Sequence, residues 1–261
     1  LAKIATMTRY FLYLRYKGTQ YCGWQKQHNA PTVQATVEGA LQNLLHTPTE
    51  ITGAGRTDTG VHARYYVAHF DTLNEISDTK DFIHRLNAIL PHDIAVFDLR
   101  RVNENAHARF SAISRTYQYF LIQHKNPFNW EYAWQVYYPL EIALMNQAAA
   151  FLTEVRDFTA FAKLHSNNNT NICEIYQAEW DQHNDEWVFT ITANRFLRNM
   201  VRSIVGNLVD VGRKKIPIDE FKKRVLQGDR LLASVSAPAK GLFFSNVEYP
   251  PSVFAENYVN N

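Results

Sequence analysis

The run TRYFLYLRY at residues 8 to 16 sets aromatic and aliphatic side chains at successive positions. It reads as a strand with both faces in use, which demands packing material on each side of the sheet it enters. A second aromatic strand, TYQYFLI at 116 to 122, restarts the pattern. Between them the order of signals is regular. Thr32 after Pro31 is placed to cap a helix carrying Val33, Val37, Leu41, Leu44 and Leu45 at helical spacing. A short strand near 50 to 52 runs into a glycine-rich loop, and 65 to 70 reads as the next strand. Ser77 or Asp78 opens a second helix with Phe82, Ile83, Leu86, Ile89 and Leu90, ended by Pro91. Residues 94 to 102 close the first half as a strand.

The second half repeats the theme with a helix near 140 to 153, strands near 172 to 181 and 186 to 193, and helices at about 195 to 212 and 217 to 227. A last strand covers 242 to 249. The expected fold is α+β: two pseudo-symmetric halves, 7–110 and 111–250, around a continuous, mainly antiparallel sheet flanked by helices, with 251–261 as a surface tail. Composition supports a sizeable core, since 46% of the 261 residues are hydrophobic and 13% aromatic. No apolar run reaches the roughly 18 residues of a membrane span. Cys22 and Cys173 lie far apart without ligand spacing, against a disulfide scaffold or structural zinc. Residues 1–6 lack the apolar core of a secretory signal, so the cytoplasm is the expected compartment and these six residues read as an added or upstream extension.

Chemistry concentrates in Gly53-Ala-Gly-Arg56-Thr57-Asp58-Thr59-Gly60-Val61-His62-Ala63. Glycines here allow tight turns and close backbone approach around one arginine and one carboxylate. The bland alternative is a turn in which Asp58 serves its own backbone and His62 lies on the surface. No phosphate-loop pattern is present. A second constellation, Arg195 to Val209, sets residues 197, 200, 201, 204, 205 and 208 in one stripe, with Arg195, Arg198, Arg202 and Arg213 along its edge. Arg202, beside Val201 and Val205, calls for a carboxylate partner, and Asp58 is the one proposed. In His107 to Tyr119, Tyr117 and Tyr119 share a strand face near Arg109 and Arg115, a mixture suited to stacking on bases beside phosphates, or to an ordinary core.

Together GRTDTGVHA, HARFSAISRTYQY and NRFLRNMVRSIVG resemble, in order, the three motifs of the tRNA pseudouridine synthase A (TruA) family. Flanking matches are GTQYCGWQ near residue 20, DFTAF at 157–161 and APAKGL at 237–242. The resemblance spans about residues 8 to 250 and implies the pseudouridine synthase fold. It also implies isomerisation of uridines in the tRNA anticodon stem-loop, at tRNA positions 38, 39 and 40, by a cytoplasmic homodimer without metal or organic cofactor. By position, Asp58 would be the nucleophile, Tyr117 would contact the target base, Arg202 would pair with Asp58, and Arg56 would hold the target nucleotide. Arg109, Arg115, Arg195 and Arg198 would be further RNA contacts. Lys17 stands where the family usually has Asp, and Thr59 where Ala is common, which bears on loop detail rather than on the reaction.

Three other classes compete. A catalytically silent tRNA-binding or RNA-folding protein on the same scaffold would not need Asp58. Phosphoryl transfer would need metal-binding carboxylates beside Asp58, the only one in its loop. A metallohydrolase would need a ligand pattern that His62 and His69 do not make. The net charge of +2 argues against RNA until it is divided. Residues 195–224 hold nine basic and three acidic residues, whereas 141–187 hold two and eight. A cationic face shared with Arg100, Arg101, Arg109 and Arg115 is the expectation.

Overall fold

The computed structural model describes residues 7–163, 169–234 and 236–255. They form two compact α+β units: one takes the chain up to Ile113 and again from Ser245, the other takes Ser114–Phe244. This division differs from the sequence-based one by returning the C-terminal segment to the first unit. Val253 is buried there and Phe254 bridges Val102, so 251–255 is packed against the unit where a surface tail was expected. Proline-flanked, short and polar in part, the segment carries no periodicity to announce that packing.

In the first unit β1 (Thr8–Tyr16) lies between β3 (His62–Thr72) and β4 (Ile94–Arg101), antiparallel to both, and β2 (Thr52–Gly53) pairs with β3. Alternate residues of β1 serve two layers. Tyr10 and Leu14 stand opposite Phe70 and Tyr66 on one face, where Phe70 stacks on Phe82 of α2 (Thr79–Ile89). Phe11 and Tyr13 face the other way, against Tyr249 and against Tyr65 and Phe97. Both faces are thus covered, and each large buried side chain contributes about 1.5–3 kcal/mol. The helices begin where their caps predict: Thr32 Oγ1 accepts from Ala35 N at 3.4 Å ahead of α1 (Val33–Leu45), and Asp78 Oδ1 accepts from Asp81 N at 2.9 Å ahead of α2. Val33, Val37 and Leu41, then Phe82 and Leu86, turn inward, while Ile89 is exposed.

In the second unit β8 (Glu186–Ala193) pairs antiparallel with both β5 (Ser114–Ile122) and β7 (Ile175–His183), and β6 (Trp134–Gln135) adds a short parallel pairing to β5. Helices α3 (Ile142–Phe151), α4 (Met200–Gly212) and α5 (Ile218–Leu226) pack with them, and β9 (Leu242–Glu248) runs across the division between the units. Helix α4 is buried almost all round, so its polar residues need internal partners. Ser203 Oγ and Asn207 Nδ2 both donate to Leu232 O, at 2.7 and 2.8 Å.

The structure corrects the start of this helix. Residues 195–199 are not helical, because Asn199 adopts a left-handed conformation with φ 65. Arg195 and Arg198 therefore stand on the segment before α4 and not on its edge, although Leu197 still reaches the core.

Candidate active site

The loop between β2 and β3 carries Arg56 and Asp58. It is held from several sides by residues outside it. Tyr16 OH and Thr57 Oγ1 share a buried hydrogen bond of 2.9 Å. Trp24 N donates to Thr57 O at 3.3 Å, Gly60 N donates to Tyr21 O at 3.3 Å, and the Tyr66 hydroxyl donates to Gly55 O. Ala54 N reaches Val67 O at 2.8 Å. Asp58 itself opens a turn in which Val61 N donates to its carbonyl oxygen at 3.1 Å, with Gly60 supplying φ 78. The result presents the Asp58 side chain half-buried and the Arg56 side chain exposed, on a backbone with little freedom to shift.

One glycine explains why the flanking GTQYCGWQ segment matters. Gly23 has φ 88, and a Cβ there would lie under 3.0 Å from Thr57 O and 3.2 Å from the Asp58 carbonyl carbon. Only glycine lets the 21–24 segment close against the loop. Behind it Trp24 packs on Tyr66 with ring centroids 4.3 Å apart. Tyr16, Gly23, Trp24 and Tyr66 were not singled out individually by the sequence as positioning residues; the flanking motif contains Gly23 and Trp24, and Tyr16 and Tyr66 sit in strands outside it.

His62 is buried, not a surface residue, and its Nδ1 accepts from Gly18 N at 3.0 Å, tying the short turn at 18–20 to the start of β3. Burial, with Asp93 as acceptor at 2.7 Å, pushes the Tyr21 phenol well up from its ordinary pKa, so this anchor stays protonated. No group of three His, Cys, Asp or Glu suited to a metal ion occurs among the described residues, and both cysteines are free thiols.

The second unit holds the other candidates. Tyr117 and Tyr119 share a face of β5, as the alternation requires, but differ in use. Tyr119 is fully buried with its hydroxyl donating to Pro238 O at 2.9 Å. Tyr117 is 8% exposed and packs edge-on against Phe196 and Phe244, at 5.1 and 5.0 Å. Arg202 is half-buried. Its Nε donates to Ala237 O at 2.8 Å while Ala237 N donates back to Arg202 O at 3.0 Å, and Asn199 Nδ2 reaches Ser236 Oγ at 2.8 Å. The residues before Gly241 are thus strapped to the start of α4, which fixes one edge of the Arg202 guanidinium.

The expected cationic face is thinner than the residue count suggests. Arg115 is buried, and its Nη1 donates to Asn194 O at 2.8 Å, so it clamps β5 to the segment before α4. Arg213 lies over the Tyr138 ring at 3.7 Å, with Asp210 3.7 Å away, and Lys214 pairs with Glu141 at 3.0 Å. In the first unit Arg100 pairs with Asp98 at 2.6 Å and Arg101 with Glu75 at 2.7 Å. Arg109 and Arg198 are exposed and Arg195 is half-buried.

A family model described as tRNA pseudouridine synthase matches residues 13–111 and 148–250. A protein of Bacteroides fragilis named tRNA pseudouridine synthase A is 49% identical over 250 residues, covering 95% of this chain and 99% of that one. Its namesake in Bacteroides thetaiotaomicron is 50% identical over 253 residues, covering 96% and 94%, and that of Porphyromonas gingivalis is 47% identical, covering 95% and 100%. The buttressed GRTD loop and the strapped arginine helix fall within the residues the family model matches, the tyrosine strand β5 lies between its two matched stretches, and with relatives near 50% identical over almost the whole length the chain belongs to the tRNA pseudouridine synthase family.

Proposed function

We propose that the protein isomerises uridines of tRNA to pseudouridine, acting on the anticodon stem-loop at positions 38, 39 and 40, with Asp58 as nucleophile. The reaction breaks the bond from base N1 to the sugar, turns the base in place, and joins the sugar to C5, whose hydrogen leaves as a proton while the freed N1 takes one up. Nothing is oxidised or hydrolysed, so a positioned carboxylate and a site that holds the detached base suffice. The observation that carries the reading is the near-full-length kinship to tRNA pseudouridine synthases A, together with a loop whose backbone is pinned around its single carboxylate.

Arg56, Tyr117 and Arg202 are the residues we assign to the uridine. The target base must leave its stack at a cost of a few kcal/mol, which an aromatic surface and a polar side chain help offset. Exposed Arg109 and Arg198, with Arg195, are assigned to phosphates, which position RNA without reading its sequence. We assign the protein to the cytoplasm and to a homodimer. A monomer by light scattering at micromolar concentration would count against the latter.

Asp58→Asn tests the chemistry. Carbodiimide labelling and mass spectrometry of treated tRNA should find no pseudouridine, while filter binding finds tRNA affinity largely kept. Full activity in that variant would sink the assignment, and a wild-type protein that binds tRNA without modifying it would favour the silent RNA-binding alternative.

A further inference from the structure

The turn after β4 displays Phe110 at 74% relative exposure. Water-facing phenylalanine is ordinary when isolated and mobile, but this one is presented with unusual fixity. His107 Nδ1 accepts from the backbone N–H groups of both Arg109 and Phe110, at 3.1 and 3.3 Å. His107 N donates to Ser111 Oγ at 3.0 Å and Ser111 N donates to His107 O at 2.9 Å. From below, His69 Nδ1 accepts from Ala108 N at 3.1 Å, Tyr249 OH donates to Ala108 O at 2.6 Å, and Arg9 Nη1 donates to Ala106 O at 2.9 Å. The rings pack in series: His69 meets His107 edge-on with centroids 4.6 Å apart, and His107 lies tilted against Phe110 at 4.4 Å. Exposed Arg109 lies beside the outermost ring, 5.4 Å from its centroid.

We propose that Phe110 and Arg109 form a built RNA-contact platform, a ring for stacking on a nucleobase with a guanidinium for the adjoining phosphate. The inference rests on the functional reading above and adds a contact that the reaction itself does not require. Rigid aromatic area next to a positive charge is the chemistry that holds single-stranded or looped RNA. Protein interfaces also use arginine beside an aromatic ring; what selects RNA as the occupant is the kinship to tRNA pseudouridine synthases, whose names give tRNA as the molecule they act on. Position separates the platform from the reacting base. Its anchor His69 lies seven residues along β3 from His62, where the Asp58 loop ends, which at about 3.3 Å per residue is roughly 23 Å of strand between the two footings. The nucleotide it holds is another one of the same tRNA.

The test compares Phe110→Ala, Phe110→Leu and Phe110→Trp in the full chain, using an unmodified tRNA transcript. A stacked base is worth about 5- to 150-fold in affinity. The expected result is a Kd and KM raised on the order of 10-fold by Ala and by Leu, with Trp near wild type and kcat unchanged in all three. Arg109→Ala should lower the slope of log affinity against log salt by roughly one ion. Wild-type affinity in Phe110→Ala, full rescue by Leu, or a change in oligomeric mass in Phe110→Ala would overturn the platform. If wild type modifies tRNA and the Ala variant keeps its KM, only this inference fails. If wild type neither binds nor modifies tRNA, the functional reading fails with it.

Discussion

Gly23→Ala is the sharpest probe of how the loop proposed to carry the nucleophile is held. The residue has φ 88, which costs an L-residue roughly 1–2 kcal/mol. A methyl group would also meet the Thr57 carbonyl oxygen under 3.0 Å, where ordinary contact begins at 3.4 Å. The obstacle is backbone, so no side chain can swing away, and overpacking of this kind costs about 1–3 kcal/mol more. Relief requires the Thr57–Asp58 peptide to retreat by about 1 Å, the scale of misplacement that lowers a rate by about 100-fold. The total of roughly 2–5 kcal/mol leaves a folded protein with a melting temperature lower by about 2–4 °C per kcal/mol.

The assay follows from the chemistry: tRNA carrying tritium at uridine C5 releases it to water only when C5 becomes the sugar-bonded atom. Single-turnover release at 25 °C, on protein shown to be folded by circular dichroism, should fall about 100-fold. Gly39→Ala is the control. Exposed on α1 with nothing within 4 Å of the new methyl, it should gain about 0.8–1 kcal/mol and leave the rate alone. Folded Gly23→Ala releasing tritium within twofold of wild type would refute the idea that this contact positions Asp58.

Two further outcomes are expected. Tyr16→Phe removes the buried bond to Thr57 Oγ1 and should cost about 1 kcal/mol in urea unfolding, with a fall in single-turnover rate but intact tRNA binding. His69, buried and beside Arg9 and His107, has its pKa lowered to about 4, with Asp71 opposing the shift. The unfolded chain, titrating near 6.5, then binds more protons than the folded one between these values, so stability is fullest above pH 6.5 and declines as pH falls toward 4. His69→Asn keeps an acceptor for Ala108 N and should flatten that decline in urea melts at pH 7 and 5. An unchanged slope would show that His69 does not control it.

What the sequence disclosed depended on whether the signal was local. The caps at Thr32 and Asp78 act on residues three positions away, and both are used as expected. The start of α4 was misplaced because the apolar stripe continues through Leu197, which is buried although the backbone there is not helical. Periodicity reports burial, and at a helix end burial outlasts the helix. The loop proposed to carry the chemistry stood out in the sequence, since three glycines crowd around Arg56 and Asp58. Its support did not: Tyr16 and Tyr66 read as ordinary strand residues until the strands are paired, and Trp24 stood out only as part of the flanking GTQYCGWQ match. Likewise an arginine count cannot tell Arg115, which ties β5 to Asn194, from Arg109, which faces water. Long-range partners decide whether a charge is spent inside the protein.

The first unit is discontinuous in sequence, and that orders its history during synthesis. Residues 7–113 are synthesised before the second unit, yet Tyr249, which packs on Phe11 and holds Ala108, and Phe254, which bridges Val102, are made only after it. The second unit is one unbroken stretch from Ser114 to Phe244 and is fully synthesised before them. The half that emerges earliest is therefore the last to close, so the Asp58 loop spends most of translation on a scaffold still missing its final strand.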